Sequence, residues 1–353
     1  MNYKLMRFRK YYDAIQTNSA FLKASLKQKW KILFNIFKYC LSFKKLIANH
    51  KPVTAQIEPT SFCNLNCEMC IREKIGVPIG NMSFENFKII LDKLDCLFKV
   101  HLSGQGEPFL NKDIFKIIDY ASKRGVYVKM STNGSLINEG VAKKLAKLNI
   151  GEITISVDST KKETYEKIRK GAKFEKLVEN LKNLNKKLEE NKKKTIVSTA
   201  TVVLKDNENE LDDFVDFARK TGVKKIIFQT LQNKQDYLDK YDSKIRVSAV
   251  GDFSSRVKEK IKKVSEKAKP YGIGVIFDEQ KSLGCVWPWR SIYITWNGNV
   301  TACCKILDYR KPAMGNMLKE NFWKIWNGKN YQMFRKLLRD RKAPLPCEGC
   351  NMV

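Results

Sequence analysis

The sequence predicts an α/β protein built on a parallel β-sheet, and two observations lead to this fold class. Strand-like and helix-like segments alternate six times between residues 53 and 231. In addition, Gly125 and Gly222 end helix-like stretches just before strand-like runs, as loops from helices to strands require. Six βα repeats form a parallel sheet that gathers its functional groups at the carboxyl ends of the strands. Whether the sheet closes into a barrel does not follow from this pattern.

The predicted elements follow one another in a regular order. Strand candidates span residues 53–58, 97–103, 126–131, 152–157, 195–204 and 225–231, and helix candidates span 83–95, 111–124, 137–148, 162–191 and 209–221. A polar, helical bridge follows, and then alternating apolar residues on both sides of Asn297-Gly298 predict a β-hairpin. A helix with Trp323 and Trp326 comes next. We therefore divide the chain into units at 1–52, 53–232, 233–270 and 271–353.

The composition is that of a globular and strongly basic protein. Of the 353 residues, 43% are hydrophobic, which argues against a disordered chain. A formal charge of +30 attracts anionic membranes, acidic substrates or nucleic acids, although solvated lysines on helix faces would give the same charge. We do not expect nucleic acid as the partner. Because the sequence offers no secretory signal and no apolar run of membrane-spanning length, we expect a cytoplasmic protein, with peripheral attachment to the inner face of the membrane as an alternative.

The first 51 residues form a separate basic segment. They hold twelve Lys and Arg residues and one acid, Asp13, which gives a net charge of +11. Apolar residues then recur every three or four positions and predict an amphipathic helix with lysines beside its apolar stripe. The predicted stripe consists of Leu22, Leu26, Trp30, Leu33, Phe37 and Leu41. Such a helix binds membrane surfaces. Packing on the body of the protein and binding of a partner are the alternatives.

Three cysteines, Cys63, Cys67 and Cys70, stand on one predicted loop after the first strand. Their C-x3-C-x2-C spacing lets each thiolate bind a different iron of a [4Fe–4S] cubane and leaves the fourth iron without a protein ligand. A structural zinc site takes four ligands, and no fourth ligand stands nearby in the sequence. The spacing therefore favours an iron–sulfur cluster over zinc and over incidental thiols.

This spacing resembles that of the radical S-adenosylmethionine (SAM) enzymes. The resemblance implies a partial (βα)6 TIM-like barrel, in which the open iron binds the amine and carboxylate of SAM. One residue departs from the family pattern, since Met69 precedes the third cysteine where the family usually has an aromatic residue. The resemblance covers residues 53–350.

Other segments resemble the SAM-binding positions of this family. The resemblance implies cofactor-binding roles for Gly106, Glu107, Asn133, Ser156, Asp158, Arg169 and Phe228. Gly106 and Glu107 match the glycine–glutamate motif that binds the methionine amine, and Arg169 matches an arginine that reaches the SAM carboxylate. The polar residues after the third and fourth strands match ribose and carboxylate contacts, and Phe228 matches an adenine contact. Ordinary turns, helix caps and a surface arginine are the alternatives.

A second set of cysteines in the C-terminal third consists of Cys285, Cys303, Cys347 and Cys350. With Gly298 and the tryptophan helix, it resembles the SPASM or shorter twitch extension. The resemblance implies one auxiliary [4Fe–4S] cluster, since two would need six or seven ligands. The spacing from Gly298 favours Cys303 over the adjacent Cys304 as ligand. A four-cysteine zinc site is the alternative. Cys40 and Cys96 stand in apolar contexts and are expected to be packing residues.

The resemblance implies reductive cleavage of SAM to a 5′-deoxyadenosyl radical, which abstracts hydrogen from an unactivated carbon. Our first hypothesis for the substrate is a lipid or lipid-linked molecule at the membrane surface, for C–C bond formation or oxidation. The alternatives are a peptide or protein maturase that recognises an acidic partner, and an alcohol or sugar dehydrogenase. An iron–sulfur carrier without catalysis is less favoured, because it needs no SAM pocket. A ferredoxin or flavodoxin is the expected electron donor, and Asp278 and Glu279 are weak candidates for an acid or base.

Overall fold

The computed structural model describes residues 11, 15–16, 18–42, 44–231, 255–277, 284–348 and 350. Its nine strands are β1 (Thr54–Ile57), β2 (Lys99–Leu102), β3 (Tyr127–Thr132), β4 (Glu152–Ser156), β5 (Ile196–Val203), β6 (Lys225–Thr230), β7 (Gly274–Phe277), β8 (Ser291–Ile294) and β9 (Val300–Thr301). They form one sheet in the order β7-β6-β5-β4-β3-β2-β1-β8-β9. Neighbouring strands are parallel, except for the antiparallel pair of β8 and β9. The predicted α/β class and parallel sheet are confirmed.

The six strands that the sequence predicted are β1 to β6, within two residues at each end. In β1, β2 and β3 every second residue is buried, because successive side chains of a strand point to opposite faces of the sheet. The buried set includes Ile57, Leu102 and Met130, and it packs into the main hydrophobic core. The half-buried residues between them, such as Gln56 and His101, lie on the other face.

Six of the helices lie between β1 and β6, as the βα pattern predicts, two precede β1 and four follow β6 in the part of the chain that the structure describes. They are α1 (Ser19–Lys23), α2 (Leu26–Leu41), α3 (Phe84–Lys93), α4 (Ile114–Lys123), α5 (Glu139–Leu145), α6 (Lys162–Ile168), α7 (Phe174–Glu190), α8 (Asp213–Thr221), α9 (Ser255–Ala268), α10 (Trp287–Arg290), α11 (Phe322–Trp326) and α12 (Lys329–Arg339). The single helix predicted at 162–191 is in fact two helices. The chain leaves the helical conformation at Arg169 and turns at Gly171, whose φ of +92° is left-handed.

The C-terminal third extends the same sheet at both edges. β7 pairs with β6, and β8 pairs in parallel with β1, so that Thr54 lies opposite Ser291. The predicted hairpin is confirmed as β8 and β9, and Gly298 in its turn has a φ of +83°. The predicted bridge at 233–270 lies partly outside the described residues, which include α9 from it. Asp278 and Glu279 also lie outside them.

The two N-terminal helices pack on the body of the protein. Asn18 caps α1, since its side chain accepts a hydrogen bond from Phe21 N–H, and Ser25 caps α2 in the same way. α2 buries Ile32 and Ile36 against the core. Within the ranges described, no helix combines the length and the apolar character that crossing a bilayer requires.

Candidate active site

The cysteine loop follows β1 at the carboxyl end of the sheet and is fastened by backbone hydrogen bonds. Asn66 N–H donates to Lys170 O at 3.0 Å, and Glu68 N–H donates to Ile168 O at 2.9 Å. The loop is therefore tied to the end of α6. Two of its three cysteines are half-buried, and the last one, Cys70, is exposed.

The two half-buried thiols lie in surroundings that disfavour a bare thiolate. Burial raises the pKa of Cys67 to about 11 and also raises the pKa of Cys63, because the thiolate loses hydration there. Arg169 opposes the shift at Cys67, since its Nη1 lies 3.8 Å from Cys67 Sγ. Coordination to a metal would offset the free-energy cost of ionising these buried thiols, since a metal ion stabilises the thiolate form.

Asp158 and Arg169 form a buried ion pair behind this loop. Arg169 Nε lies 2.7 Å from Asp158 Oδ2, and the side chain of Asp158 is fully buried. The other oxygen, Oδ1, accepts a hydrogen bond from Val202 N–H at 2.8 Å. Burial raises the pKa of Asp158, and the adjacent guanidinium lowers it. Asp158 therefore pairs with the arginine that contacts Cys67, and its expected contact with SAM stays a prediction.

The glycine loop packs directly against the cysteine loop. A Cβ on Gly106 would lie 2.3 Å from Phe62 O and 2.5 Å from Thr60 O, and a Cβ on Gly104 would lie 2.3 Å from Glu58 Cγ. Glu107 N–H also donates to Phe62 O at 2.7 Å. Both glycines are therefore needed for the contact between two loops of the protein, and this reason was not visible in the sequence.

Glu107 is buried between the glycine loop and the end of β3. Its Oε1 accepts hydrogen bonds from Thr132 Oγ1 at 2.6 Å and Phe109 N–H at 3.3 Å, and its Oε2 accepts one from Asn133 N–H at 2.7 Å. Burial raises the pKa of Glu107, although these hydrogen bonds favour the ionised form. A carboxylate has about four acceptor sites, so one site remains for a further donor.

Asn133 connects the end of β3 to the cysteine loop. Its Nδ2 donates to Asn64 Oδ1 at 3.0 Å, and its Oδ1 accepts hydrogen bonds from the backbone and hydroxyl of Ser135. Asn64 in turn donates to Ser135 Oγ at 2.9 Å. The structure therefore brings Asn133, Glu107 and the cysteine loop together, as the sequence analysis expects.

Two predicted contacts at later strand ends have different outcomes. Ser156 is half-buried at the end of β4, beside the same edge of the sheet. Phe228 is fully buried and its ring lies 5.6 Å from that of Phe214 on α8, with the two rings edge to face. The ring of Phe228 therefore faces the helix layer, and a contact of this residue with adenine, through its backbone or its ring, stays a prediction. The alternation of β6 places Ile227 and Gln229 on the other face.

Sequence reasoning missed Glu58, the residue after β1, which is 2% exposed. Its Oε1 accepts a hydrogen bond from Gln105 N–H at 2.9 Å, and its Oε2 accepts one from Trp296 N–H at 3.2 Å. Burial raises the pKa of Glu58 to about 7. Glu58 therefore joins the glycine loop to the C-terminal hairpin. An acidic residue between an apolar strand and a cysteine loop was the signal that could have identified it.

The second cysteine set also comes together. Burial raises the pKa of Cys285 to about 11, with smaller contributions from the nearby thiols of Cys303 and Cys350. Cys350 N–H donates to Cys347 O at 3.0 Å, which closes the last turn. Cys303 packs against the main core together with the other three, and Cys304 does not. The arrangement supports Cys303 as the predicted ligand.

The two cysteine sets fit iron–sulfur clusters. Among the residues described, no three Cys, His, Asp or Glu side chains converge on a position for one metal ion. Thiolates of a cubane bind different irons and stand further apart than the ligands of a single ion. Near the first set, Gln105 Oε1 is buried without a hydrogen-bond donor. Gln105 and Glu107 thus offer acceptor capacity for a ligand with an ammonium group.

Two sequence families match the chain. Residues 57–218 match the radical SAM superfamily, and residues 285–351 match the SPASM iron–sulfur cluster-binding domain. Mycofactocin maturase of Mycolicibacterium smegmatis is 32% identical over 173 residues, which is 48% of this chain and 43% of that protein. The chain thus spans less than half the length of this curated relative.

Other relatives match over a longer span. The tungsten-containing aldehyde ferredoxin oxidoreductase cofactor-modifying protein of Pyrococcus furiosus is 26% identical over 84% of this chain and 86% of its own length. SuiB of Streptococcus suis, bound to S-adenosylmethionine, has the same fold, with a TM-score of 0.68 and 17% identity over 87% of this chain and 73% of that chain. The matched domains imply a [4Fe–4S] cluster with SAM and auxiliary iron–sulfur binding. The chain belongs to the radical SAM superfamily, with a SPASM domain at its C-terminal end.

Proposed function

We propose that this protein is a radical SAM enzyme that removes a hydrogen atom from an unactivated carbon of a peptide or protein substrate. The observation that carries the proposal is the direct packing of the glycine loop on the cysteine loop, through Gly106 and Phe62. This packing joins the thiols for a cluster and the acceptors for the SAM amine in one site. An electron carrier would not need the acceptors for the SAM amine.

The residues have separate tasks in this site. Cys63, Cys67 and Cys70 would hold the cluster, and Glu107 would accept hydrogen bonds from the SAM ammonium. When bound, the cluster and SAM supply a 5′-deoxyadenosyl radical, and the protein supplies orientation and a dry pocket. Arg169 positions Cys67 and keeps positive charge beside it, and its guanidinium is also near enough to this loop to serve the SAM carboxylate.

A peptide or protein substrate has better support than the lipid substrate that the sequence suggested first. One relative is named a maturase and another a cofactor-modifying protein, whereas neither name refers to a lipid. The strongly basic character of the chain favours a substrate with acidic groups, since opposite charges steer the encounter.

A cavity between the two domains suits such a substrate. Its volume is about 650 Å³, and its apolar lining comes from the C-terminal domain, with Met333 and Phe334 among it, apart from Ile75 of the radical SAM domain. Arg310 and Lys311 line the same cavity, and Asp308, which also lines it, pairs with Arg310 at 2.7 Å. Pockets that combine an apolar lining with a few charged groups are typical binding sites. We infer that an apolar side chain of the substrate occupies this cavity, with an acidic group near Lys311.

A lipid-linked substrate at the inner face of the membrane is the second candidate. One observation favours it, namely the apolar residues of α2 that remain exposed beside lysines. For the electron donor, the same positive charge favours an acidic partner such as a ferredoxin or flavodoxin.

Anaerobic reconstitution with iron and sulfide tests the reaction. After addition of dithionite and SAM, mass spectrometry should detect 5′-deoxyadenosine and methionine. The Cys63→Ala/Cys67→Ala/Cys70→Ala variant should lose this cleavage and hold about four irons instead of about eight, because the C-terminal set keeps its cluster. A wild-type protein that holds a reducible cluster but does not cleave SAM would contradict the proposal.

A transfer experiment distinguishes the substrate classes. Cells of the source organism are grown in deuterated medium, and their peptide and lipid fractions are offered separately to the reconstituted protein. Abstraction moves one deuterium from the substrate carbon to 5′-deoxyadenosine, which gains one mass unit. Label from the peptide fraction alone supports the proposal. Label from the lipid fraction alone would contradict the proposal and support the lipid-linked substrate instead.

A further inference from the structure

α1 and α2 present a continuous row of exposed apolar side chains, which we call the α2 stripe. Its members are Leu22, Leu26, Trp30, Phe34, Phe37 and Leu41. Leu26 is 75% exposed and Trp30 is 70% exposed, so these side chains are largely in water. Successive members are three or four residues apart, which places those from Leu26 to Leu41 on one face of α2. Contiguous apolar patches of this kind mark interaction surfaces, whereas single exposed apolar residues do not.

The opposite face of α2 packs against the rest of the protein. Ile32, Ile36 and Tyr39 on that face are buried. Asn35 Nδ2 donates to Lys51 O at 3.0 Å, and Lys51 N–H donates back to Asn35 Oδ1 at 2.9 Å. Rotation of the helix about its axis to bury the α2 stripe would break these two hydrogen bonds and expose the packed face. The stripe is therefore a fixed feature of the surface.

Further contacts at both ends of α2 hold it in place. Near its start, Gln28 Nε2 donates to Asp95 O at 2.8 Å, and Lys31 pairs with the carboxylate of Asp95 at 2.9 Å. At its end, Ser42 Oγ lies 2.7 Å from His50 Nδ1. The helix is thus supported along its whole length while its outer face stays apolar.

Positive charge borders the α2 stripe. At about 100° per residue, Lys27 lies about 100° and Lys38 about 120° around the helix from Leu26, next to the stripe. Lys38 Nζ lies 4.5 Å from the centre of the Phe34 ring, a cation–π contact at the edge of the stripe. Residues 1–51 contain one acid, Asp13, and twelve Lys and Arg residues, of which Lys31 and Lys51 pair with Asp95.

An exposed apolar stripe can bind either a second copy of the chain or a lipid bilayer, and the charge around it distinguishes the two. A second copy of this chain would bring a segment of net charge +11 against an identical one, and like charges at an interface oppose association. An anionic bilayer offers hydrocarbon to the apolar side chains and negative headgroups to the lysines, the two features this face presents together. We propose that the α2 stripe docks on an anionic lipid bilayer, with α2 parallel to the membrane plane.

The geometry of the helix suits this position. Its sixteen residues span about 24 Å, and amphipathic helices of this type bury their apolar face at the boundary between headgroups and acyl chains. Trp30, Phe34 and Phe37 would enter that boundary, where aromatic rings are favoured. The docking does not depend on the proposed reaction or on its substrate, so each can be tested without the other.

Vesicle flotation of the full-length protein tests the proposal. Vesicles of phosphatidylcholine with 30% phosphatidylglycerol and vesicles of phosphatidylcholine alone are the probes (roughly one anionic lipid in three, well above the amount needed for a negative surface potential). The wild-type protein should float with the anionic vesicles and much less with the neutral ones. Binding should weaken as salt rises, because charges at the surface are screened over about 10 Å at 0.1 M ionic strength.

A pair of variants shows whether the stripe is responsible. Trp30→Glu/Phe37→Glu should lower the bound fraction at least tenfold, and circular dichroism should remain that of the wild type because both side chains are exposed. The control, Ile89→Glu/Ile196→Glu, adds the same charge at two exposed apolar positions elsewhere, and it should bind like the wild type.

Three results would overturn the proposal. The first is a wild-type protein that does not bind anionic vesicles, and the second is a stripe variant that binds them as well as the control. The third is a wild-type dimer in light scattering that becomes a monomer in the stripe variant, since this would assign the surface to a second copy of the chain.

Discussion

Replacing Gly106 with alanine tests whether the contact between the glycine loop and the cysteine loop sets the active site. The added Cβ would lie 2.3 Å from Phe62 O, 2.5 Å from Thr60 O and 2.8 Å from the carbonyl carbon of Ser61. All three are backbone atoms, so no side chain can rotate away. A carbon and a carbonyl oxygen normally approach to about 3.3 Å. One loop therefore has to move by about 1 Å.

The size of the effect follows from this displacement. Overpacking of a tight contact costs about 1–3 kcal/mol, so the free energy of unfolding should fall by that amount. The moved segment adjoins Cys63, and a shift of about 1 Å in a catalytic arrangement can cost about 100-fold in rate. We expect 5′-deoxyadenosine formation to fall by about that factor in Gly106→Ala. Chemical denaturation of the apo-protein and timed mass spectrometry measure the two quantities.

Gly140 provides the control for this substitution. It is exposed in α5, and the nearest atom to its added Cβ, a side-chain oxygen of Asn138, lies 3.4 Å away. Alanine there should be neutral or stabilise the helix by up to about 1 kcal/mol, with unchanged activity. If Gly106→Ala matches Gly140→Ala in stability, iron content and SAM cleavage, the contact does not constrain the site and the reasoning is refuted.

Three further predictions concern other parts of the chain. Arg169→Met should lower the free energy of unfolding of the apo-protein by about 3–5 kcal/mol, because it leaves the buried Asp158 unpaired, and adding Asp158→Asn should restore much of the loss in urea denaturation. Cys303→Ala should reduce the iron content of the reconstituted protein by about four, whereas Cys304→Ala should leave it unchanged; equal losses would contradict the assignment. Burial lowers the pKa of His50 to about 4, whereas the unfolded chain has the ordinary histidine pKa of about 6.5. As pH falls from about 6.5 to 4, His50 is therefore protonated in the unfolded state but not in the folded state. The free energy of unfolding should decline over this range by up to about 3 kcal/mol. His50→Gln should reduce the slope of stability against pH near pH 5.5 by about one proton, and an unchanged slope in denaturation curves would speak against this role.

Local patterns in the sequence predict much of this fold. The six barrel strands are short apolar runs with clear boundaries, and the hairpin carries Asn297-Gly298 at its turn, so each follows from nearby residues alone. The cysteine sets are equally visible, because the chemistry of their clusters fixes the spacing. Arg169 is partly predicted as well, since it contacts Cys67 in the structure while its role toward SAM remains a prediction.

Long-range packing explains what the sequence did not predict. Glu58 gains its role from Gln105 and Trp296, which are distant in sequence. Similarly, α2 has apolar residues on two faces, and only its packing against the rest of the protein decides that Ile32 and Ile36 are buried. The predicted stripe is therefore correct except at one position, since Leu33 packs partly against the core and Phe34 is exposed instead. The orientation of the Phe228 ring depends on Phe214 of a neighbouring helix, which a reading of one strand cannot provide.

The pairing of β1 with β8 affects how the protein is made. Thr54 and Ser291 are 237 positions apart, and their hydroxyl oxygens lie 2.6 Å from each other. At a synthesis rate of about 5–20 residues per second, the ribosome needs about 12–50 s to travel between them. Throughout that interval the strand that precedes the cysteine loop lacks one of its two neighbours. The thiols are thus synthesised well before their support is complete, and iron delivery is expected to follow release of the finished chain.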